Sequence, residues 1–536
     1  MQSTNQKCNL LQSVFGIFLH SCNTPQKVIQ SLARLGCSIS VNTINRAVKS
    51  LSAETYHTLR NMGQTLLVAY TYDNFDIDFK SNLPTVEKSA DTLTHLTSGT
   101  LTFLDHGVTV NDLKCSSSIW DSSPLNPQLD VPKPDPIIYY PQFLTLHPEI
   151  DHSSRLTRRD RFNSWIFYRD LCEHGPESFA EFQPTGDSEL PEFVEKIPVV
   201  KMRHAPARAM DINQSKVSGN IQAITNLMTQ GGLSIGSSTE GNDGVVNASE
   251  YILPFFGDLG TGERVETLVE RRSIEDTPAR RFQSTYFVMG FFHLKMACAD
   301  ALWRIFLENK IARNDVNSLM RFLALHRPKE TGKIGSNPGF RRMHEVITQD
   351  GAALRLDAWR VELKKMNDEW DSLDKFAATH PTKDEIRAIA DAVATKYVSG
   401  SDHDVDVRIF DLRHRPDNER DAQRENTLLM HRLFLLYEEL THAMNYGDIG
   451  RLETTFPPWI AIFKATGKHK YATHMCRFLY DVHIRLPKPL SHAIRFNSLV
   501  NPTGKQGKFR APDWVQEYHN LKTKVSIIMT STSWRC

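Results

Sequence analysis

The run Gln64 to Phe79, QTLLVAYTYDNFDIDF, constrains the fold more than any other stretch of this chain. Leu66, Leu67, Val68, Ala69 and Tyr70 form a continuous apolar, β-rich segment, the pattern of a strand covered on both faces, and they lead directly into Tyr72 and Asp73. The expectation is a carboxylate delivered where a buried strand meets solvent, a place where sheet proteins put chemistry. Glu250 to Asp258, EYILPFFGD, repeats the device, with Gly257 leaving room for backbone or ligand beside Asp258. Two carboxylates brought together repel unless a proton or cation lies between them, and hard oxygen ligands favour Mg²⁺ or Mn²⁺. The competing reading makes Asp73 and Asp258 ordinary turn or N-cap residues. TLTFLDHG, ending in Asp105, shows how readily a strand and an acid occur together.

A chain of 536 residues with 40% hydrophobic content holds several cores, so a disordered protein is excluded. Its 63 Lys and Arg balance 62 Asp and Glu, so a nucleic-acid partner needs a local basic face rather than a global field. The cysteines are scattered without metal-finger spacing, the pattern of reduced thiols. The apolar stretch Leu10 to Leu19 is broken by Gln12, Ser13 and Gly16 and lacks a basic flank, which argues against a signal peptide. The expectation is an intracellular protein, nuclear or cytoplasmic, with no membrane partner.

Read in order, residues 1–62 are a helical N-terminal segment. Within it SLARLGCSISVNTINRAVKSLS has the rhythm of a helix-turn-helix, offering Asn42, Thr43, Asn45, Arg46 and Lys49 as contacts; an ordinary α-hairpin is the alternative. Residues 63–310 form the expected sheet core, interrupted by a loop-rich insertion at about 108–199 with a helical island at Arg158 to Glu173. His293 falls at the junction between the strand STYFVMG and a helix. Residues 311–465 are a helical domain, and 466–536 are helices with a basic tail in which Lys505, Lys508 and Arg510 suit phosphate contacts. No phosphate-binding loop, dinucleotide fingerprint, nucleophile elbow or zinc signature is present.

An early strand Asp, a late strand Asp, a His at the next strand-to-helix junction and a long helical stretch resemble the ribonuclease H-like core of cut-and-paste transposases, in the Mutator-like and hAT-like layout. There a Cys-x-x-His element follows the second Asp; here His293 matches the His and Gly290 stands at the Cys. The phrases YDNFDID, FFGDLGTGERV, FFHLKMACADAL, NYGDIGRLE, KYATHM and NPTGKQGKFRAPDWVQEYHNL also resemble a transposon-derived, mushroom-type fungal family of unknown function, over about residues 64 to 524. The resemblance implies an α/β protein with a ribonuclease H-like mixed sheet. It implies a DNA nuclease or strand-transfer protein using two Mg²⁺ or Mn²⁺ ions, held by Asp73, Asp258 and a third acid on a late helix. Glu453 in GDIGRLE is the preferred third acid, with Glu438, Glu439 and Glu517 as rivals; the helix beginning KYAT carries His474 where the family pattern has an acid. His293 joins the catalytic set or is a packed core histidine. DNA is the expected partner, with a homo-oligomer also considered. The alternative function is the same scaffold with catalysis lost, kept as a DNA- or protein-binding module.

Overall fold

The computed structural model describes residues 9–22, 24–78, 93–184, 186, 189–234, 244–308, 318–336, 338–399, 412 and 414–532. The Thr/Ser-rich piece at 81–92 and most of the polar loop before Glu250 lie outside them. The chain is a mixed α/β protein and divides into two compact units, one of residues 1–135, 198–293 and 480–536, the other of 136–197 and 294–479.

The first unit opens with three helices, α1 (Leu10–Ser21), α2 (Gln26–Arg34) and α3 (Val41–Gln64). Gly36, at φ 75°, makes the turn after α2, and Ser40 caps α3 by accepting from the Thr43 N–H. The proposed contact residues Asn42, Thr43, Asn45, Arg46 and Lys49 are all exposed on α3. That helix is 24 residues long, and its second half buries Leu59 and Met62 in the core of the unit.

The core is built on a five-stranded sheet. Its strands are β1 (Val68–Asp78), β2 (Leu93–Phe103), β3 (His204–Pro206), β4 (Leu253–Gly257) and β5 (Thr285–Met289), in the order β3-β2-β1-β4-β5. The β1–β2 and β2–β3 pairs are antiparallel, whereas β1–β4 and β4–β5 are parallel, so the sheet is mixed and β1 is central. The helices α4 (Val217–Gln230) and α5 (Leu259–Arg271) join α3 over one face, where Tyr70, Tyr72, Leu101, Ile224, Leu227, Phe255, Val265 and Leu268 are buried together. Each such side chain contributes roughly 1.5–3 kcal/mol by leaving water.

The β1 strand does not stop at its acid. It runs five residues beyond Asp73, to Asp78, paired with β2 throughout, while its pairing with β4 is confined to Tyr70↔Phe255 and Thr71↔Phe256. Asp73 therefore stands where the parallel half of the sheet ends rather than where the strand ends.

The second unit is helical. Arg158–His174 is buried along much of its length and packs in one core with Trp359 and Leu363 of Gly339–Met366 and with Ile386, Ala390 and Val393 of Lys383–Ala394. Ala422–Tyr446 and Ile449–Ala465 form a helical pair joined at Gly447, whose left-handed φ of 70° suits glycine.

The expected boundaries differ from this division. The segment 108–199 is not one loop insertion, because its first part stays with the sheet unit and 136–197 belongs to the helical unit around Arg158–His174. Nor does the sheet unit end near 310, since residues 480–536 return to it. Polar and Pro-rich composition marked the connections but did not reveal which core each piece of chain joins.

Candidate functional site

The face of the sheet opposite the apolar cluster carries the polar side chains. Alternation puts Tyr70 and Tyr72 on the core face, and hence Thr71 and Asp73 on the other, together with their β2 partners Thr100 and Ser98. The last parallel pair is Thr71↔Phe256, and two residues further along each strand stand Asp73 and Asp258. A period of two keeps both on the same side of adjacent strands, which is how residues far apart in sequence become neighbours.

Asp258 caps α5: its Oδ1 accepts the Thr261 N–H at 2.7 Å. The N-cap reading is thus true of this residue, yet it employs one carboxylate oxygen. Asp73 Oδ1 accepts from its neighbour Asn74 N–H at 2.7 Å, with Gln214 Nε2 at 3.5 Å.

Two helices complete the site, α6 (Phe291–Trp303) and the final helix, here α8, Pro512–Thr532, which follows α7 (Lys488–Asn497). Proline at the first position starts α8, and Asp513 occupies its first turn. The Asp513 carboxylate accepts from the backbone N–H groups of Phe292 and His293 at 3.2 and 3.0 Å, and from His293 Nδ1 at 2.9 Å. One turn later on α8, Glu517 Oε1 lies 3.7 Å from His293 Nε2. The ring is held by one acid and faces a second.

Gly290 explains itself here. A Cβ at this position would lie 2.3 Å from Asp513 Oδ2 and 2.9 Å from the Gly257 carbonyl oxygen, so no other residue lets Asp513 reach the start of α6. The residue at the expected Cys position is replaced by space for a carboxylate.

Electrostatics mark the same cluster. Burial, the charge of Glu517 and a hydrogen bond with Glu517 push the Asp73 carboxyl up to about 7, with Asp258 adding to the rise and His293 opposing it. For His293, burial disfavours the charged ring, but the Asp513 hydrogen bond and charge, with Asp73 and Asp258, overcome it and raise the imidazole to about 9. His293 is the one histidine among Asp73, Asp258, Asp513 and Glu517, and Arg264 is a further cation near Asp258.

α8 is fastened to the sheet by polar contacts. Thr100 Oγ1 donates to Gln516 Oε1 at 2.7 Å, Gln516 Nε2 donates to Ser98 at 2.8 Å, and Ser98 also bonds Asn520. Just before α8, Val500 and Arg510 form an antiparallel bridge around a loop in which Lys505 and Lys508 are exposed, while Arg510 lies over the Trp514 ring. The three basic residues proposed for DNA thus belong to the segment that leads into the acidic helix.

The preferred third acid lies elsewhere. Glu453 falls in the helical unit, 1% exposed, and binds His147 Nε2 at 2.7 Å. Glu438 pairs with Arg355 at 2.8 Å, and Glu439 with Arg159 at 2.8 Å and Arg451 at 3.0 Å. Glu517 is the candidate that the structure brings to Asp73, Asp258 and His293. Asp513 and Gln214 were missed. The available signal was Pro512-Asp513 as a helix start with Glu517 four residues on, which puts two acids on one helix face. In the helical unit, Asp170, Glu173 and His174 offer ligand atoms within 4.8 Å of one another, but Asp170 is already held by Arg169 at 2.7 Å and Arg355 at 2.6 Å.

No helix among the described residues is long and apolar enough to cross a membrane. Comparison with known proteins finds the profile described as "Family of unknown function (DUF6589)" matching residues 141–534. No curated protein and no solved structure matches the chain.

Proposed function

Starting from the chain's membership of the DUF6589 family, a family of unknown function, we propose that it is a ribonuclease H-like DNA nuclease or strand-transfer protein that works with divalent cations. The observation that carries this reading is the convergence of Asp73, Asp258 and Glu517 beside His293, with Asp73 raised to about 7 by burial first and by Glu517 and Asp258 after it. The sheet supports it as well: an early antiparallel hairpin continues into two parallel strands, and the two strand acids fall at the end of the parallel pairing.

The donor set fits Mg²⁺ or Mn²⁺. Asp73, Asp258 and Glu517 offer hard carboxylate oxygens, and the proton that Asp73 retains is the sign of a cluster that a cation would relieve. When bound, such ions activate the attacking water or 3′-hydroxyl and stabilise the leaving oxygen. The protein's own contribution is positional. Asp258 is fixed by the Thr261 N–H, Asp73 by the strand and the Asn74 N–H, and His293 by Asp513. Held charged with Nε2 toward Glu517, His293 is placed to give a proton to a leaving oxygen or to steady a phosphate. Lys505, Lys508 and Arg510 supply phosphate contacts beside α8.

The test is incubation of the purified full chain with supercoiled plasmid in Mg²⁺, Mn²⁺ or chelator. Nicking or cleavage that needs the cation and is lost in Asp73→Asn, Asp258→Asn and Glu517→Gln is expected. DNA binding with no cleavage in either metal would favour the second reading, a scaffold that has kept its acids but not its activity; the charge that His293 already supplies to the pocket is the feature that favours it.

A further inference from the structure

Arg264 lies on α5, in the second turn after the Asp258 cap, and is half-buried. Among the described residues it has neither an ion-pair nor a hydrogen-bond partner, although most arginines buried to this degree in the protein pair with an acid. Its guanidinium points back along the helix: Nη1 and Nη2 lie 3.5 and 3.6 Å from the point where a Gly260 Cβ would stand, and Asp258 Oδ2 lies 3.3 Å from that same point. Both charges reach Tyr72, where Asp258 raises and Arg264 lowers the phenol's pKa. Glycine at 260 thus leaves a notch with the free carboxylate oxygen of Asp258 on one side and an unpaired guanidinium on the other. The same turn also buries Thr261 Oγ1 without a partner.

A half-buried guanidinium that has the Asp258 carboxylate nearby but no direct ion pair or hydrogen bond keeps open donors, and its planar fork suits phosphate. We infer that Arg264 grips a phosphodiester of the DNA strand next to the one being cleaved, through the notch at Gly260. It is a positioning residue, and the inference rests on the DNA reading above. The backbone oxygen bound there sets which phosphate lies against Asp258 and therefore the register of cleavage.

Equilibrium binding of a fluorescent duplex oligonucleotide by the full chain across a salt series tests this. Wild type, Arg264→Ala, Arg264→Lys and Gly260→Val are compared, with thermal melting to verify folding and inorganic phosphate as competitor. Arg264→Ala is expected to weaken binding several-fold and to reduce the log–log salt slope by about 0.9, the signature of one lost phosphate contact. Arg264→Lys should restore the slope, and Gly260→Val, which fills the notch but keeps the charge, should weaken binding. Competition by millimolar inorganic phosphate that is equal for wild type and Arg264→Ala would assign the site to the strand rather than to free phosphate, in support. An unchanged slope and affinity in folded Arg264→Ala, with wild type binding DNA well, would overturn the inference and leave the nuclease reading standing. Failure of wild type to bind DNA at all would overturn both.

Discussion

The two units treat buried charge differently. Among the described residues of the helical unit, Asp170 lies between Arg169 and Arg355, Glu438 meets Arg355, Glu439 meets Arg159 and Arg451, and Asp448 meets the Arg451 guanidinium while accepting the Val194, Glu195 and Arg451 backbone N–H groups. Burial opposes the charge of Asp170, yet the arginines hold it below the usual carboxylate range, whereas burial outweighs the cations beside Glu438 and Asp350 and raises both. In the sheet unit, Asp73, Asp258, Asp513 and Glu517 surround a single histidine, and Asp73 is raised. A matched set costs its desolvation and returns a fixed arrangement, whereas an unmatched set is retained at a cost and awaits something positive.

The largest effect should come from breaking the matched set. Asp170→Ala leaves Arg355, which is fully buried, without its closest acid. A loss of about 3–5 kcal/mol is expected for the helical unit. Fluorescence of its buried tryptophans Trp359 and Trp459 during denaturation would report it. A loss below about 1 kcal/mol would mean that the network is not structural. Cation-dependent cleavage at temperatures where the variant is folded should be unaffected.

Activity separates the rival acids next. Glu517→Gln should lower cleavage by roughly 10²-fold or more, since an amide supplies no anionic oxygen to a cation. Glu453→Gln replaces one hydrogen-bonding partner of His147 with another and should cost about 1 kcal/mol of stability with cleavage near wild type. The reverse pattern would return the role to Glu453.

Those two residues also show what the sequence could and could not disclose. Strands β1, β4 and β5, with the His293 junction, were legible because each contains an apolar run, although β1 continues past Asp73 rather than turning there. The third acid was not. GDIGRLE carries a helix-start signal, but its Asp448 and Arg451 are spent inside the helical unit. α8 meets the sheet through Gln516, Asn520 and Thr100, so it lacks the apolar stripe by which a packed helix is recognised. Contacts across more than 400 residues, such as that of Ser98 with Asn520, leave no local periodicity to read.

Stability against pH probes the unmatched set directly. The folded Asp73 carboxyl titrates near 7, against an ordinary value of 3.8. The folded state therefore holds more protons than the unfolded state between about pH 4 and 7, and stability falls as pH rises through that window. Asp73→Asn carries no such loss and should be more stable than wild type at pH 8, by on the order of 1–3 kcal/mol. Addition of Mg²⁺ or Mn²⁺ should close the gap by stabilising the ionised wild type alone. For Asp170 the sign is opposite, with stability present above the ordinary carboxylate range and lost as pH falls. Equal stability of wild type and Asp73→Asn at every pH would show that the sheet unit is as well matched as the helical one.

The smallest expected effect concerns how His293 keeps its proton. Burial by itself lowers an imidazole, so the rise to about 9 depends on Asp513 first and on Asp73 and Asp258 after it. In Asp513→Asn one side-chain oxygen remains to accept either the Phe292 or the His293 N–H, so α6 keeps one of the two bonds at its start while the charge beside Nδ1 is gone. The His293 midpoint, followed by NMR of the ring, should fall by about one to two units, toward the ordinary imidazole value, and the alkaline limb of any cleavage profile should move with it. Because the folded value lies above the unfolded one, the stability His293 confers is complete below about pH 6.5 and lost as pH rises through 9; in Asp513→Asn that loss should move to lower pH. A midpoint that stays near 9 would show that Asp73 and Asp258 suffice to hold the proton, and that Asp513 serves only to seat α8 against the first turn of α6.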